Sequence, residues 1–150
     1  MDELDVKILS ELSKQGDITA TSLSKKLHFS IPAINKRITS MKKSGVIKNF
    51  TIITDNKKVG KTIIAFILIV FKSIELADVF FKYAENDLDI LECYAITGEY
   101  DCLIKVCAES VEALDQKLAV LKTHNGVMKS YTMLSLTTRK YAPTILPNNK

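Results

Sequence analysis

The sequence predicts an α+β fold in which three helices precede a β-α-β-β-α-β module. In the first third of the chain, apolar residues recur at helical spacing and short polar breaks separate them. In the remainder, β-branched and apolar runs alternate with two amphipathic segments that keep a helical period. A chain of 150 residues that is 47% apolar can form a packed core, which argues against disorder.

Three helical segments are predicted near the N-terminus. The first spans residues 2–14, and the second begins after an N-cap at Thr19. The third begins after an N-cap at Ser30, carries Pro32 in its first turn, and is followed by Gly45, which suits a left-handed C′ position. Two short helices around a tight break, the second with a basic face, predict a winged-type helix-turn-helix that reads the major groove of DNA.

The third helix is the candidate DNA-reading element. Its inward face is predicted to hold Ile34, Ile38 and Met41, while its other face carries the Arg, Lys and Asn side chains that contact base edges or phosphates. With the helix before it, the candidate DNA contacts are Thr19, Thr21, Ser22, Lys25, Ser30, Ile31, Pro32, Ala33, Asn35, Lys36, Arg37 and Ser40. On this assignment, Arg37→Ala should weaken DNA binding by about 1–3 kcal/mol. The alternative is a solvated surface helix.

Charge is distributed unevenly between the two halves of the chain. Residues 1–61 carry a net charge of +6 and residues 62–150 a net charge of −2. This pattern favours a DNA-reading module joined to a regulatory or assembly module. The predicted organisation is a helix-turn-helix domain at 1–47, a bridging strand and linker at 48–61, a ferredoxin-like domain at 62–141 and a tail at 142–150.

The back half is predicted to form a four-stranded sheet with two helices. The predicted strands span 62–71, 89–97, 102–108 and 127–138, the helices begin at 74 and 111, a turn lies at 124–126, and the bridging strand spans 46–54. This order is the ferredoxin-like plan. Both faces of the first strand are apolar, so both should be buried, and Val111 should point inward. Helices on one face leave the other open, so a dimer through the sheets is expected.

Several classes of site and protein are disfavoured. Cys93, Cys102 and Cys107 are odd in number and not closely paired in sequence, so we expect core thiols in a reducing cytosol instead of a disulfide or zinc site. No nucleophile–base pair, metal cluster or phosphate-binding glycine loop is recognised, so no catalytic residue, cofactor or metal is predicted. The longest apolar run, 63–71, is shorter than the roughly 20 residues of a membrane helix. The N-terminus does not read as a secretory signal, so a soluble, cytoplasmic protein is expected.

The order of these modules resembles the Lrp/AsnC (leucine-responsive/asparagine regulator, feast-famine) family of transcription regulators. The motifs that carry the resemblance are Leu4-Asp5 with Ile8-Leu9 and Leu12, Leu23-Ser24 with Leu27, Gly45-Val46-Ile47, and Thr97-Gly98-Glu99-Tyr100-Asp101 before Leu103-Ile104-Lys105-Val106. The resemblance implies a sequence-specific DNA-binding regulator whose DNA binding or assembly responds to a small effector, commonly an amino acid. It also implies homodimers through the back-half sheets and octamers built as tetramers of dimers.

The resemblance places the effector site at the loop Gly98–Asp101. Gly98 would let backbone N–H groups approach a carboxylate, and Glu99 and Asp101 could pair with an α-ammonium. Tyr100 would supply an apolar wall with one hydroxyl. The resemblance adds a second contribution from the last strand, Thr132 and Ser135. The alternative is an ordinary hairpin turn, because Gly and Asp are common turn residues.

Two other functions stay open. One is a siroheme-decarboxylase-like enzyme on the same fold, which should need His or Arg groups to hold several carboxylates and supply protons. The back half offers only His124 and Arg139, and its loop is acidic. The other is an amino-acid-binding assembly protein without DNA function, which the intact cap, core and basic face of the helix-turn-helix disfavour.

Overall fold

The structure, a computed structural model of the full chain, describes residues 1–123 and 126–147. The chain divides into two compact units: Met1–Ile53 together with the described residues from Lys140 onward, and Thr54–Arg139. The predicted α+β order is confirmed, with three helices before a β-α-β-β-α-β module. Two residues of the predicted turn, 124 and 125, lie outside the described part. No helix within that part is long and apolar enough to cross a membrane.

The first unit contains the three predicted helices, and each starts at a capping side chain. They are α1 (Glu3–Lys14), α2 (Ala20–Leu27) and α3 (Ile31–Lys43). Their N-caps are Asp2, Thr19 and Ser30. The side chain of each accepts a hydrogen bond from the backbone N–H three residues later. Gly45 follows α3 with φ of 77°, the left-handed conformation predicted for it. The termini of these helices therefore follow from local sequence.

The three helices share one small apolar core. Ile8 of α1, Leu23 of α2, and Ile34 and Met41 of α3 are buried together. Further apolar residues pack around them at partial burial, including Leu4, Leu9, Leu12, Leu27 and Ile38. Because every helix contributes one apolar face to this core, the opposite faces of α2 and α3 remain exposed.

The second unit is a four-stranded antiparallel sheet with two helices, as the ferredoxin-like prediction requires. Its elements are β1 (Ile63–Phe71), α4 (Ile74–Asn86), β2 (Ile90–Ala95), β3 (Cys102–Ala108), α5 (Val111–Thr123) and β4 (Val127–Leu134). The strand order is β2-β3-β1-β4, and all neighbours are antiparallel. β1 therefore lies inside the sheet, while β2 and β4 form its edges.

Both helices of this unit cover the same face of the sheet. Ile67 of β1 and Ile104 of β3 are buried with Phe80 of α4 and Leu121 of α5. The alternate residues of β1 point to the opposite face and are only half-buried. They are Ile64, Phe66, Leu68 and Val70. The expectation that both faces of β1 are buried is therefore wrong for a single chain.

Several predicted element boundaries also need correction. Within the described chain, residues 46–54 form no strand, because a strand needs a partner for its backbone N–H and C=O groups. β2 and β4 are shorter than predicted, and β4 ends one residue before Ser135, whose N–H donates to Ile64 at the start of β1. Val111 is 56% exposed, since the inward face of α5 begins only at Leu114.

The three cysteines are free, and two of them behave as predicted. Cys102 and Cys107 are buried, whereas Cys93 is exposed because it lies on the edge strand β2. The Sγ atoms of Cys93 and Cys102 are 3.7 Å apart, a closeness that sequence spacing did not indicate. Desolvation by burial raises the pKa of both thiols, so neither is activated as a nucleophile.

Candidate nucleic-acid interface and effector loop

Helix α3 presents an exposed stripe opposite its buried side. The stripe follows the helical repeat and consists of Pro32, Asn35, Lys36, Thr39 and Lys43. Thr39 was not predicted as a contact, although its spacing of four residues from Asn35 could have indicated it. Ile31, which is 39% exposed, and Ser40 flank the stripe. This face therefore offers amide, hydroxyl and ammonium groups from one rigid element.

Arg37 lies on the flank of α3 that faces α1, and so does not belong to the exposed stripe. Its Nη1 is 2.7 Å from Oδ2 of Asp2 and 3.6 Å from Oδ1 of Asp5. The backbone N–H of Asp5, together with the charge of Arg37, lowers the pKa of Asp2 against the opposing effect of desolvation. Ala33, one turn earlier, is also half-buried. The guanidinium predicted to contact DNA is thus already engaged in joining α3 to α1.

Three other cations of the first unit are neutralised by acidic groups of α1. Lys7 pairs with Glu3, and both Lys14 and Lys26 lie 2.8 Å from the carboxylate of Glu11. The hydrogen bonds from Lys14 and Lys26 lower the pKa of Glu11 to about 2. These lysines have a local carboxylate partner before any phosphate approaches.

Five lysines within residues 1–53 make no ion pair in the described part of the chain, and we refer to them as the unpaired lysines. All are exposed: Lys25, Lys36, Lys42, Lys43 and Lys48. Of these, Lys42 lies with its Nζ 4.8 Å from the ring centroid of Phe50, a cation–π distance. Lys42, Lys43 and Lys48 were not predicted as DNA contacts, although Lys42 and Lys43 lie in the last turn of α3.

The hydroxyl groups predicted on α2 and α3 divide into caps and exposed groups. Thr19 Oγ1 accepts the Ser22 N–H at 3.1 Å and donates to the Ser22 hydroxyl at 3.0 Å. Ser30 Oγ accepts the Ala33 N–H at 3.4 Å. Thr21, Ser22 and Lys25 are exposed along one side of α2. Thr19 and Ser30 therefore serve first to start their helices.

The loop at 96–101 in the second unit is fixed to strand β1 through Asp101. Its Oδ2 accepts the N–H of Phe71 at 2.8 Å, and its own N–H donates to Ile69 O at 2.9 Å. The loop closes on itself where Ile96 N–H donates to Asp101 O at 2.9 Å. Gly98 has φ of 120°, and a Cβ there would meet no heavy atom within 4 Å. The turn is thus anchored at one end and open at its tip.

Lys129 of β4 lies beside this loop, although the sequence did not predict it as a site residue. Its Nζ is 3.7 Å from Glu99 Oε1 and 5.4 Å from the ring centroid of Tyr100. The side chain of Glu99 is 77% exposed and that of Lys129 is 57% exposed. No local pattern predicts this neighbour, because the pairing of β4 with β1 brings it there.

Thr132 and Ser135 are not brought to the loop within one chain. Thr132 is the direct partner of Ile67, so it points to the helix-covered face, whereas Lys129 is paired with Val70 on the open face. Ser135 donates to Ile64 O at 2.8 Å, at the end of β1 remote from Phe71. Among the described residues, no group of three or more His, Cys, Asp and Glu side chains is arranged to hold a metal.

Comparisons with known proteins agree with this division into two modules. Residues 1–48 match the family model for a winged helix-turn-helix DNA-binding domain, and residues 64–145 match the Lrp/AsnC ligand-binding domain. The chain belongs to the Lrp/AsnC family. The HTH-type transcriptional regulator FL11 of Pyrococcus abyssi is 35% identical to this Lrp/AsnC chain over 140 residues, which cover 93% of this chain and 92% of FL11.

Solved structures of transcriptional regulators share the fold over nearly the full length. AsnC of E. coli superposes with a TM-score of 0.88 at 28% identity, covering 98% of this chain and 99% of AsnC. A transcriptional regulator of Neisseria meningitidis in complex with L-methionine gives a TM-score of 0.92 at 24% identity, covering 97% and 96%. The present chain is a helix-turn-helix transcriptional regulator of this family.

The different surroundings of Arg37 and Lys36 in this Lrp/AsnC regulator predict different effects of alanine substitution. Lys36→Ala should weaken DNA binding across all sequences and make the slope of log affinity against log salt shallower by about 1, because one phosphate contact is lost. Arg37→Ala should lower the unfolding temperature and leave that slope unchanged. Anisotropy titrations and thermal melts on both variants test the assignment. A salt slope that changes for Arg37→Ala and not for Lys36→Ala would contradict it.

Proposed function

We propose that this regulator binds duplex DNA through the exposed stripe of α3, and that its DNA binding or assembly responds to an amino acid held at the loop 96–101. One observation supports the first part most strongly. The cations of residues 1–53 separate into a group neutralised by acidic residues, chiefly of α1, and the five unpaired lysines around α2, α3 and the residues after α3. Exposed cations without local partners are available to neutralise phosphates.

The proposed contacts divide by chemistry into positioning and reading groups. Lys25 and the hydroxyls of Thr21 and Ser22 would hold phosphates as α2 crosses the backbone. Asn35 would read an adenine edge, because its amide both donates and accepts. The exposed stripe of α3 contains no arginine, the side chain that most often reads guanine. We therefore propose an operator that is richer in A·T than in G·C pairs.

The second part of the proposal concerns the effector. An anchored loop with an open glycine, an acidic side chain and an aromatic ring can receive a carboxylate at backbone N–H groups and an ammonium at Glu99. The L-methionine complex of the Neisseria meningitidis protein supports an amino acid as the effector class. Thr132 and Ser135 remain proposed effector contacts, which would require a second chain to approach the loop.

We further propose a homodimer that buries the open face of the sheet, with octamers as tetramers of dimers. Tyr94 and Tyr131 are 50% and 53% exposed on this face, and Leu103 and Leu68 lie between them in the same row. An apolar row of this kind is costly to leave in water. The unpaired segment 46–54, with Ile52 82% exposed, would pair with its equivalent in the second copy.

We propose that the chain is a transcription regulator and not an enzyme. We also propose that it acts in the cytoplasm, where it meets its DNA. Its curated relatives are transcriptional regulators, which supports this choice over a siroheme decarboxylase. The acidic loop at 98–101 also suits an ammonium better than a tetrapyrrole with several carboxylates. The winged helix-turn-helix match over residues 1–48, with the unpaired lysines it carries, favours DNA binding over an amino-acid-binding protein without DNA function.

The proposal is tested by DNA binding with each of the twenty L-amino acids present in turn. Fluorescence anisotropy on a duplex from upstream of its own coding region reports affinity, and sedimentation velocity of the same samples reports assembly. We expect one amino acid, or a few of similar shape, to shift the DNA affinity or the sedimentation coefficient. Binding to DNA that no amino acid alters in either measurement would contradict the proposed effector class while leaving the DNA function intact.

A further inference from the structure

We infer that Glu99 and Lys129 are the two side chains that read the charges of the effector, and that Asp101 positions the loop without contacting it. This inference rests on the proposed function of the loop 96–101 as an effector site. Lys129 becomes a contact of the effector, and Asp101 no longer contacts the α-ammonium. The effector class it specifies is a zwitterionic α-amino acid with an uncharged side chain.

The role of Asp101 follows from the hydrogen bonds it already makes. Its Oδ2 accepts the Phe71 N–H at 2.8 Å, while its backbone N–H and C=O bond to Ile69 and Ile96. Phe71 is itself buried. Its ring centroid lies 5.2 Å from that of Phe80 and 5.7 Å from that of Phe81. An ammonium that drew this oxygen away would leave a backbone donor beside the core without an acceptor, which is costly. The carboxylate therefore holds the loop to β1.

Within one chain, the charged groups of Glu99 and Lys129 are exposed and can bind an effector, whereas the carboxylate of Asp101 already accepts a backbone N–H. Their charged atoms are 3.7 Å apart, which is longer than a hydrogen bond, and both side chains are exposed by more than half. An exposed ion pair of this kind contributes little to stability, so an effector can separate its members at small cost. The α-ammonium would then bind Glu99 and the α-carboxylate Lys129, and each charge would gain a charge-assisted hydrogen bond.

The surroundings of this pair restrict the effector side chain. The ring of Tyr100 lies 5.4 Å from the ammonium of Lys129 and provides an apolar surface beside it. Gly98 leaves open space at the tip of the loop. Both nearby charges are used by the zwitterion, so a third charge on the effector would have no partner from the loop. An uncharged side chain against Tyr100 is the group that fits.

The inference is tested by isothermal titration calorimetry on the full-length protein. L-methionine is titrated first and then the other nineteen L-amino acids, followed by the decarboxylated amine of the best binder. We expect Glu99→Gln and Lys129→Gln each to weaken binding about tenfold, the size of one lost charge-assisted hydrogen bond. The amine should bind the unsubstituted protein about tenfold more weakly than the amino acid does. The amine and the amino acid should bind Lys129→Gln with equal affinity, because Lys129 reads the carboxylate that the amine lacks.

Asp101→Asn and Asp101→Ala form the matched pair that separates positioning from contact. The asparagine keeps a side-chain oxygen for the Phe71 N–H and loses the charge, so its affinity for the amino acid should stay within about twofold. The alanine should lose both affinity and thermal stability. If Asp101→Asn loses as much affinity as Glu99→Gln, Asp101 contacts the ammonium and the inference is overturned.

The remaining outcomes distinguish this inference from the function on which it rests. An amino acid that binds the Glu99→Gln and Lys129→Gln variants as tightly as it binds the unsubstituted protein overturns the inference alone. If none of the twenty amino acids binds, both the proposed effector class and the inference are overturned. Far-UV circular dichroism and thermal melts on the same preparations establish that each variant is folded.

Discussion

Replacing the five unpaired lysines together by glutamine is expected to lower DNA affinity by up to about 4.5 orders of magnitude per bound chain at about 0.1 M salt. Each phosphate neutralised by a lysine contributes about 0.9 to the slope of log affinity against log salt concentration, so five contribute about 4.5. Lowering the salt concentration from 1 M to about 0.1 M is one decade, so a slope of about 4.5 raises the affinity by about 4.5 decades through counterion release. Anisotropy titrations at several salt concentrations measure both quantities.

The paired lysines of the same unit provide the control. Lys7, Lys14 and Lys26 are also exposed, but each lies beside Glu3 or Glu11. Their replacement by glutamine removes three positive charges and should change the salt slope by less than about 1. An equal loss of affinity per charge in the two variants would show that net charge, and not the placement of unpaired lysines, governs binding.

Phe80→Ala is expected to destabilise the second unit by about 3–5 kcal/mol. Phe80 is fully buried, and its ring centroid lies 5.2 Å from that of Phe71 and 5.9 Å from that of Tyr83. The loss combines the transfer of a large apolar side chain to water with the cavity that α4 and the sheet cannot close. Because a domain of this size is stable by only about 5–15 kcal/mol, the loss is a large part of the total.

Urea denaturation followed by far-UV circular dichroism measures the change in unfolding free energy. Val79→Ala, one residue earlier on α4, is the control, because Val79 is 54% exposed and its replacement should change stability by no more than about 0.5 kcal/mol. Similar losses for the two variants would mean that α4 presents a different face to the sheet.

The parts of the structure that the sequence predicted well depend on neighbouring residues. Ser30, Pro32 and Gly45 determine the start and end of α3 through hydrogen bonds and backbone angles within one turn. The strands and helices of the second unit follow from periodicity in the same way. The exposed stripe of α3 was largely identified for the same reason, since the buried positions of an amphipathic helix define the opposite face.

Contacts between residues distant in sequence were not predicted. Nothing local indicates that Asp2, the N-cap of α1, lies 2.7 Å from Arg37. Asp101 and Phe71 are 30 residues apart, and Lys129 reaches Glu99 from another strand. The segment 46–54 has the composition of a strand, but composition cannot supply the second strand that its backbone needs.

The most direct test of DNA reading by α3 is the binding of the full-length protein to its own upstream duplex and to a random duplex of equal length. Fluorescence anisotropy is recorded as salt is raised from about 50 mM to about 200 mM. We expect tighter binding to the upstream duplex, with a slope of log affinity against log salt steeper than about −4. Equal affinity for the two duplexes, or no binding even at the lowest salt, would contradict it.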